Sequence, residues 1–361
     1  MLPRPSLRAR ELFAMILLLI GIKLSDMTPA LLAQETKNAF WMVPILSFLV
    51  ILPSLLLLLH VIKQYEDKNF VQLLKHLFGN IVGGSIGLLI FFIAFIALAI
   101  DSRSTIDVLG TVYFQESPTV ILYAIFMLVC YFGARKGFNV IGTTAFLILP
   151  YVKLALLFLM LLILKETVFL RIFPLFGDGF TPLIFESISK ASIYGELFIL
   201  PLAYTSFKQR EDFHKGMLWG SVVSVTELTL FFLLYCTLFD YKSIDKNAFL
   251  FHEVTQFITL GNYLSNIETF FMAFWLIGTF IRFIIYLYMI AWLFGEVFTI
   301  KKFKPFLLPF SYLVIAIGII PENPMVNVLV IRDQFLTLIT PLFIFLPFCL
   351  WIAYKWKGDT K

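Results

Sequence analysis

Long uncharged apolar runs recur along this chain, and no other feature limits its fold so tightly. Residues 39–62 (AFWMVPILSFLVILPSLLLLLHVI), for example, contain no Asp, Glu, Lys or Arg. A helix rises 1.5 Å per residue, so about twenty such residues cross a hydrocarbon core about 30 Å thick. Composition agrees. The chain is 60% apolar and 14% charged, with a mean hydropathy of +0.92, whereas soluble domains carry about 25% charged residues. Polar punctuation divides the runs into about ten expected spans, near 10–33, 39–62, 81–110, 117–135, 138–164, 184–206, 217–240, 267–294, 305–321 and 333–355. The sequence therefore predicts an all-α integral membrane protein, folded as a single transmembrane domain over residues 1–361 within the lipid bilayer. The first run lacks a small-residue cleavage site and is expected to remain as a spanning helix.

Basic residues set the expected orientation. With the N-terminus inside, seventeen Lys and Arg fall in inside segments and seven in outside loops (Lys37, Arg103, Lys165, Arg171, Lys242, Lys246, Arg332). Both termini are then expected to be cytoplasmic. The net charge of +5 follows from this bias and requires no nucleic-acid partner. Segments 63–79, 166–183 and 241–266 mix apolar and polar residues. They read as short interfacial helices or as ordered connectors.

Signatures of catalysis are missing. The four histidines (His60, His76, His214, His252) are scattered, without HExxH or other metal-ligand spacing. There is no GxSxG, P-loop or dinucleotide fingerprint. No enzyme activity, cofactor or metal is expected. Cys130, Cys236 and Cys349 lie singly in apolar runs and read as buried free thiols.

Two spans are interrupted near mid-depth. The first, LLLIGIKLSDMTPALL, contains Gly21, Lys23, Ser25, Asp26, Thr28 and Pro29; the sixth, ISKASIYGELFILPLAY, contains Ser192, Tyr194, Gly195, Glu196 and Pro201. Broken backbone at membrane depth is tolerated where it is buried or lines a cavity. Paired breaks five spans apart point to an inverted-repeat transporter and its binding site.

Six ionisable residues fall inside spans: Lys23, Asp26, Lys153, Glu196, Glu227 and Arg282. Each costs about 2.5–3.5 kcal/mol on insertion scales if it faces lipid. Three basic and three acidic groups permit full pairing. Glu196, beside Gly195, is placed to accept from a ligand ammonium or to carry a proton. Lys153, three residues after Pro150, is a candidate proton or ion-site group. Lys23 and Asp26 flank the first break and read as structural intramembrane charges, which could form a local i,i+3 pair that holds the turn. Glu227 and Arg282 lie in unbroken spans and read as structural charges.

Three stretches carry a family resemblance: SLRARELFAMILLLIGIKLSDMTPALLAQ, YFGARKGFNVIGTTAFLILPYVKLALLF and NIETFFMAFWLIGTFIRFIIYLY. In joint order they resemble the B subunits of GerA-type spore germinant receptors, a branch of the amino acid–polyamine–organocation superfamily. The resemblance implies a LeuT-like five-plus-five inverted repeat with broken first and sixth helices. Repeat one would cover about 10–164 and repeat two about 184–355. It implies a receptor subunit of the spore inner membrane, beside a larger A-type subunit and a C-type lipoprotein. A small germinant, typically an amino acid, would be held by Gly21, Ile22 and Ser25 on one side and Tyr194, Gly195 and Glu196 on the other. Lys153 resembles the fifth-span lysine that proton-coupled members set against the first helix. Two features depart from the pattern. Asn266 stands where the family often has a basic residue, and Lys23 with Asp26 make the first break unusually polar. From the residues alone, a proton-coupled amino acid transporter and a scaffold with a vestigial pocket remain alternatives to the receptor.

Overall fold

The computed structural model describes residues 7–239, 244, 249–257 and 267–357, so part of the expected outer segment 241–266 lies outside the described residues. Six helical stretches are long and apolar enough to cross a membrane, and Thr119–Arg135 and Lys304–Gly318 are shorter apolar helices. With the interrupted first and sixth segments, each of the ten expected runs is accounted for. The described residues contain no β-strand, only an isolated parallel bridge between Leu7 and Phe207.

The first segment is two helices. Helix α1 (Ala9–Leu19) starts at a reciprocal cap in which the Glu11 carboxylate accepts from the Arg8 amide at 2.9 Å. A 3-10 turn follows over Gly21–Leu24, and α2 (Thr28–Thr36) resumes beyond Ser25–Met27. Pro29 suits the first turn of α2, where a missing N–H costs nothing, and the Asp26 carboxylate accepts the Thr28 amide at 2.7 Å. Lys37 (φ 49) ends α2 and separates it from α3 (Val43–Lys63). Segment 63–79 forms helix α4 (Phe70–Phe78), capped by Asn69 and Gln72.

The third segment is longer than the sequence suggests. Helix α5 (Asn80–Val108) runs into a π-turn at Leu109–Tyr113, so Asp101 and Arg103 are buried within it rather than at its mouth. Helices α6 (Thr119–Arg135) and α7 (Phe138–Ile163) follow. Segment 166–183 is mainly an ordered connector with a 3-10 turn at Phe169–Ile172. The sixth segment opens with α8 (Phe180–Ser189) and continues as 3-10 turns over Ala191–Phe198 and Leu200–Ser206, broken at Tyr194 (φ −100, ψ 16).

The remaining helices are α9 (Arg210–Leu238), α10 (Leu250–Phe257), α11 (Ile267–Val297), α12 (Leu307–Gly318) and α13 (Asp333–Lys357). A π-turn at Val326–Arg332 leads into α13. Arg332 is buried there and Arg103 is buried in α5, so neither is an outer-loop residue, while Lys242 and Lys246 lie outside the described residues. Cys130 and Cys236 are buried, but Cys349 is exposed on α13, against expectation.

Helix α1 lies in the core, packed on α7, α9 and α11. The approach to α9 is close because Gly216 and Gly220 line it. A Cβ on Gly216 would stand 2.9 Å from the Ala9 carbonyl oxygen, and one on Gly220 would stand 3.0 Å from Ile16. Small residues four apart let two membrane helices touch backbones. Residues 191–198 pack on α3 and α13; α5 packs on α11, α12 and the 326–332 turn; α11 packs on α6 and α7.

Candidate functional site

Four of the six charges that sequence places at membrane depth, Lys23, Asp26, Glu196 and Arg282, join Asp101 and Arg332 in one buried cluster where the two breaks meet. Lys23, in the 3-10 turn of the first segment, lies 2.8 Å from Glu196 and also donates to the Ile193 carbonyl oxygen of the sixth. Arg282 of α11 reaches Asp101 at 2.5 Å, Asp26 at 3.4 Å and Glu196 at 3.8 Å. Arg332 reaches Asp26 and Asp101, each at 3.3 Å. Three cations thus face three anions drawn from the first, third, sixth, eighth and tenth segments, with no side chain more than 10% exposed. The pairing removes the lipid-exposure cost, and shared partners raise the coupling among all five segments.

Beside this cluster lies a small chamber bounded by Lys23, Asp101, Gly195, Glu196, Tyr286 and Arg332, with Phe343 across from Gly195. Its volume is about 30 Å³, room for roughly one water. A Cβ on Gly195 would stand 3.0 Å from the Phe343 ring, so glycine is what keeps that wall open.

The residues expected at the breaks separate into two groups. Gly195, Glu196 and Lys23 line the chamber. Gly21, Ile22, Ser25 and Tyr194 do not. Gly21 faces the ion pair between Lys153 and Glu227, whose N–O distances are 2.5 and 2.6 Å. Ile22 packs against Gly278 and Val152. The Ser25 hydroxyl donates to the Ile22 carbonyl at 2.6 Å and accepts from the Trp275 indole at 2.9 Å. Tyr194 donates to the Pro44 carbonyl at 2.8 Å and stands edge-on to Phe48, so it secures the sixth break to α3. Lys23 and Asp26 do not pair with each other; each pairs across the bundle. Lys153 does reach the first segment, at Gly21. Arg282, read as a structural charge in an unbroken span, is central to the cluster.

Asp101, Arg332 and Lys190 were not singled out by the sequence. Lys190 is 3% exposed and ties the end of α8 to the start of α13, through Asp333 at 2.5 Å and Thr337 at 2.7 Å. Asp101 and Arg332 sit at the edges of apolar runs, where charges ordinarily mark span ends. The signal that finds Asp101 is the recurrence of Asp101, Arg103 and Asp107 along one helical run, with Arg103 and Asp107 paired at 2.7 Å.

A small cap stands beside the first break, where Trp275 holds Ser25. His252 of α10 shares a 2.8 Å hydrogen bond with the Tyr113 hydroxyl and stands edge-on to Trp275, with ring centroids 4.7 Å apart. Burial pushes the His252 imidazole well below its usual value, to about 3.

Unbroken helices around two interrupted ones, joined at a buried charged centre, define a multi-pass, all-α, permease-type membrane protein. A family model described as "Spore germination protein", of the spore permease type, matches residues 7–326, and the chain belongs to that family. It is 26% identical over 194 residues to the putative spore germination protein YfkT of Bacillus subtilis (strain 168), covering 54% of this chain and 52% of that protein. It is 24% identical over 231 residues to spore germination protein KB of the same organism, covering 63% and 60%. Spore germination protein XB of Bacillus anthracis is 20% identical over 286 residues, covering 77% and 79%. The match spans between half and three fifths of the first two relatives.

Proposed function

We propose that this chain is a germinant receptor subunit that binds a small ligand, an amino acid, at the junction of its two breaks and so helps trigger spore germination. One observation carries the reading: the Lys23–Glu196 link joins the two interrupted segments beside a chamber kept open by Gly195. An amino acid offers one ammonium and one carboxylate. Its ammonium competes with Lys23 for Glu196, and its carboxylate competes with Asp26 and Asp101 for Arg282 and Arg332. Because the chamber is water-sized, binding requires a second, wider arrangement. The ligand shifts that equilibrium only by its difference in affinity for the two states.

Packing supports the five-plus-five repeat over about 10–164 and 184–355. Shifting each segment number by five exchanges partners: α1 on α9 corresponds to 191–198 on α3, and α1 on α7 corresponds to 191–198 on α13. Likewise α11 on α6 corresponds to α5 on α12, and α11 on α7 corresponds to α5 on the 326–332 turn. The family supports placement in the spore inner membrane beside A-type and C-type (lipoprotein) subunits, and the loop charges support cytoplasmic termini.

The experiment is ligand binding by the full receptor complex across amino acids, nucleosides and sugars. Saturable binding of an amino acid that also germinates spores is expected. Binding of none of them overturns the reading. A second reading, a proton-coupled amino acid permease, draws support from Lys153 standing against Gly21. Accumulation of labelled amino acid by vesicles holding this chain without partners would favour it.

A further inference from the structure

The Lys153–Glu227 pair is not part of the central cluster. It stands at the back of a cleft between α7 and α9, with a volume of about 290 Å³. The walls are apolar and include Leu157, Met160, Leu230 and Phe231. Leu157 is 52% exposed and Leu230 45%, so the mouth opens to the side, where lipid surrounds the bundle. The charged groups remain partly open to the cleft, at 23% for Lys153 and 13% for Glu227. Both lie in the middle of long spanning helices, too deep for a phospholipid headgroup to reach.

Donor and acceptor capacity remains. An ammonium has three N–H donors and a carboxylate about four acceptor sites, whereas the pair uses two contacts between its own groups. A hydroxyl or amide in the cleft accepts from Lys153 and donates to Glu227 at once. The cleft is at the lower end of small-molecule pocket volumes and offers an apolar path for a short chain leading back to the bilayer.

We propose that this cleft is a lateral binding site for a small membrane-dissolved amphiphile, a short aliphatic chain with a neutral hydrogen-bonding head. Its head rests on the Lys153–Glu227 pair, which touches the first break at Gly21. A Cβ on Gly21 would stand 2.7 Å from a Glu227 oxygen. Occupancy is therefore felt at the first break without entry into the central chamber. This site stands independently of the germinant reading.

The test uses the full chain in phosphatidylcholine vesicles with a diazirine-bearing octanol, mapped by mass spectrometry after irradiation. Labelling is expected in peptides spanning 153–160 and 223–231, and excess octanol should reduce it to background. Lys153→Met combined with Glu227→Leu should abolish that labelling while protein yield and elution on gel filtration hold. A diazirine-bearing octane, with no head, should label these peptides weakly. If the double variant does not fold, Thr226→Trp, at the exposed mouth on α9, should block labelling instead. Label spread evenly over the lipid-facing helices, or octane labelling as strongly as octanol, would overturn the proposal.

Discussion

Lys23 and Glu196, 173 positions apart in sequence, meet at 2.8 Å where the first and sixth segments are both unwound. Neither break is a simple kink, because each places a charge that the other neutralises. Arg282 extends the link to Asp26 and Asp101, and Arg332 closes it, so the central charges work as a unit rather than as separate pairs.

Removing one member should cost more than removing two. Glu196→Leu leaves Lys23 buried without its carboxylate, and breaking a buried pair costs about 3–5 kcal/mol. Lys23→Met combined with Glu196→Leu should recover most of that loss, since apolar replacement of both partners is often neutral. Thermal unfolding of the purified protein in detergent measures the difference. Equal losses in the single and double variants would show that the pair does not act as described.

Asp101 and Arg332 should behave as site residues although they lie at the edges of apolar runs. Asp101→Asn leaves Arg282 without its 2.5 Å partner and weakens Arg332 as well. Germinant response should fall while the protein still reaches the membrane. Dose–response curves of spores carrying the variant, with protein level checked by immunoblot, provide the measurement.

The close approach of α1 and α9 predicts intolerance of bulk. Gly220→Leu inserts a side chain where even a Cβ stands 3.0 Å from Ile16. Overpacking of that kind costs about 1–3 kcal/mol, and loss of the helix contact should lower protein yield. Gly84→Leu should be harmless, because a Cβ there meets nothing closer than 3.9 Å.

The His252 cap should loosen in acid. Its folded imidazole titrates near 3, while an unfolded one titrates near 6.5. As pH falls from about 6.5 toward 3, the opened segment binds a proton that the closed one does not, so closure loses stability in that window. Hydrogen-exchange protection of residues 249–257, corrected for the pH dependence of intrinsic amide exchange, should therefore fall between pH 7 and pH 5. His252→Gln should remove the pH dependence.

The apolar runs made the membrane class, the segment count and both breaks legible, because length and Gly-Pro interruption act locally. Glu196 and Lys153 were also legible, since a charge at mid-run is costly wherever the chain goes. Pairing was not. Lys23 and Asp26 are close enough in sequence to suggest a local pair, yet each finds its partner on a distant segment. Arg332 was misplaced for a related reason: the π-turn at Val326–Arg332 extends the tenth segment past the point where hydropathy ends it, whereas Asp101 lies inside the expected third run and was simply not singled out. Tyr194 stands beside the sixth break, but its hydroxyl turns toward Pro44, a direction that only packing against α3 decides.

Ligand binding by the proposed receptor complex carrying Gly195→Trp, compared with the unaltered protein, tests the central chamber most directly. The indole would run into Phe343, fill the space beside Glu196 and leave the protein in the membrane, so amino acid binding should disappear. Binding at unaltered affinity would place the ligand elsewhere and contradict the account.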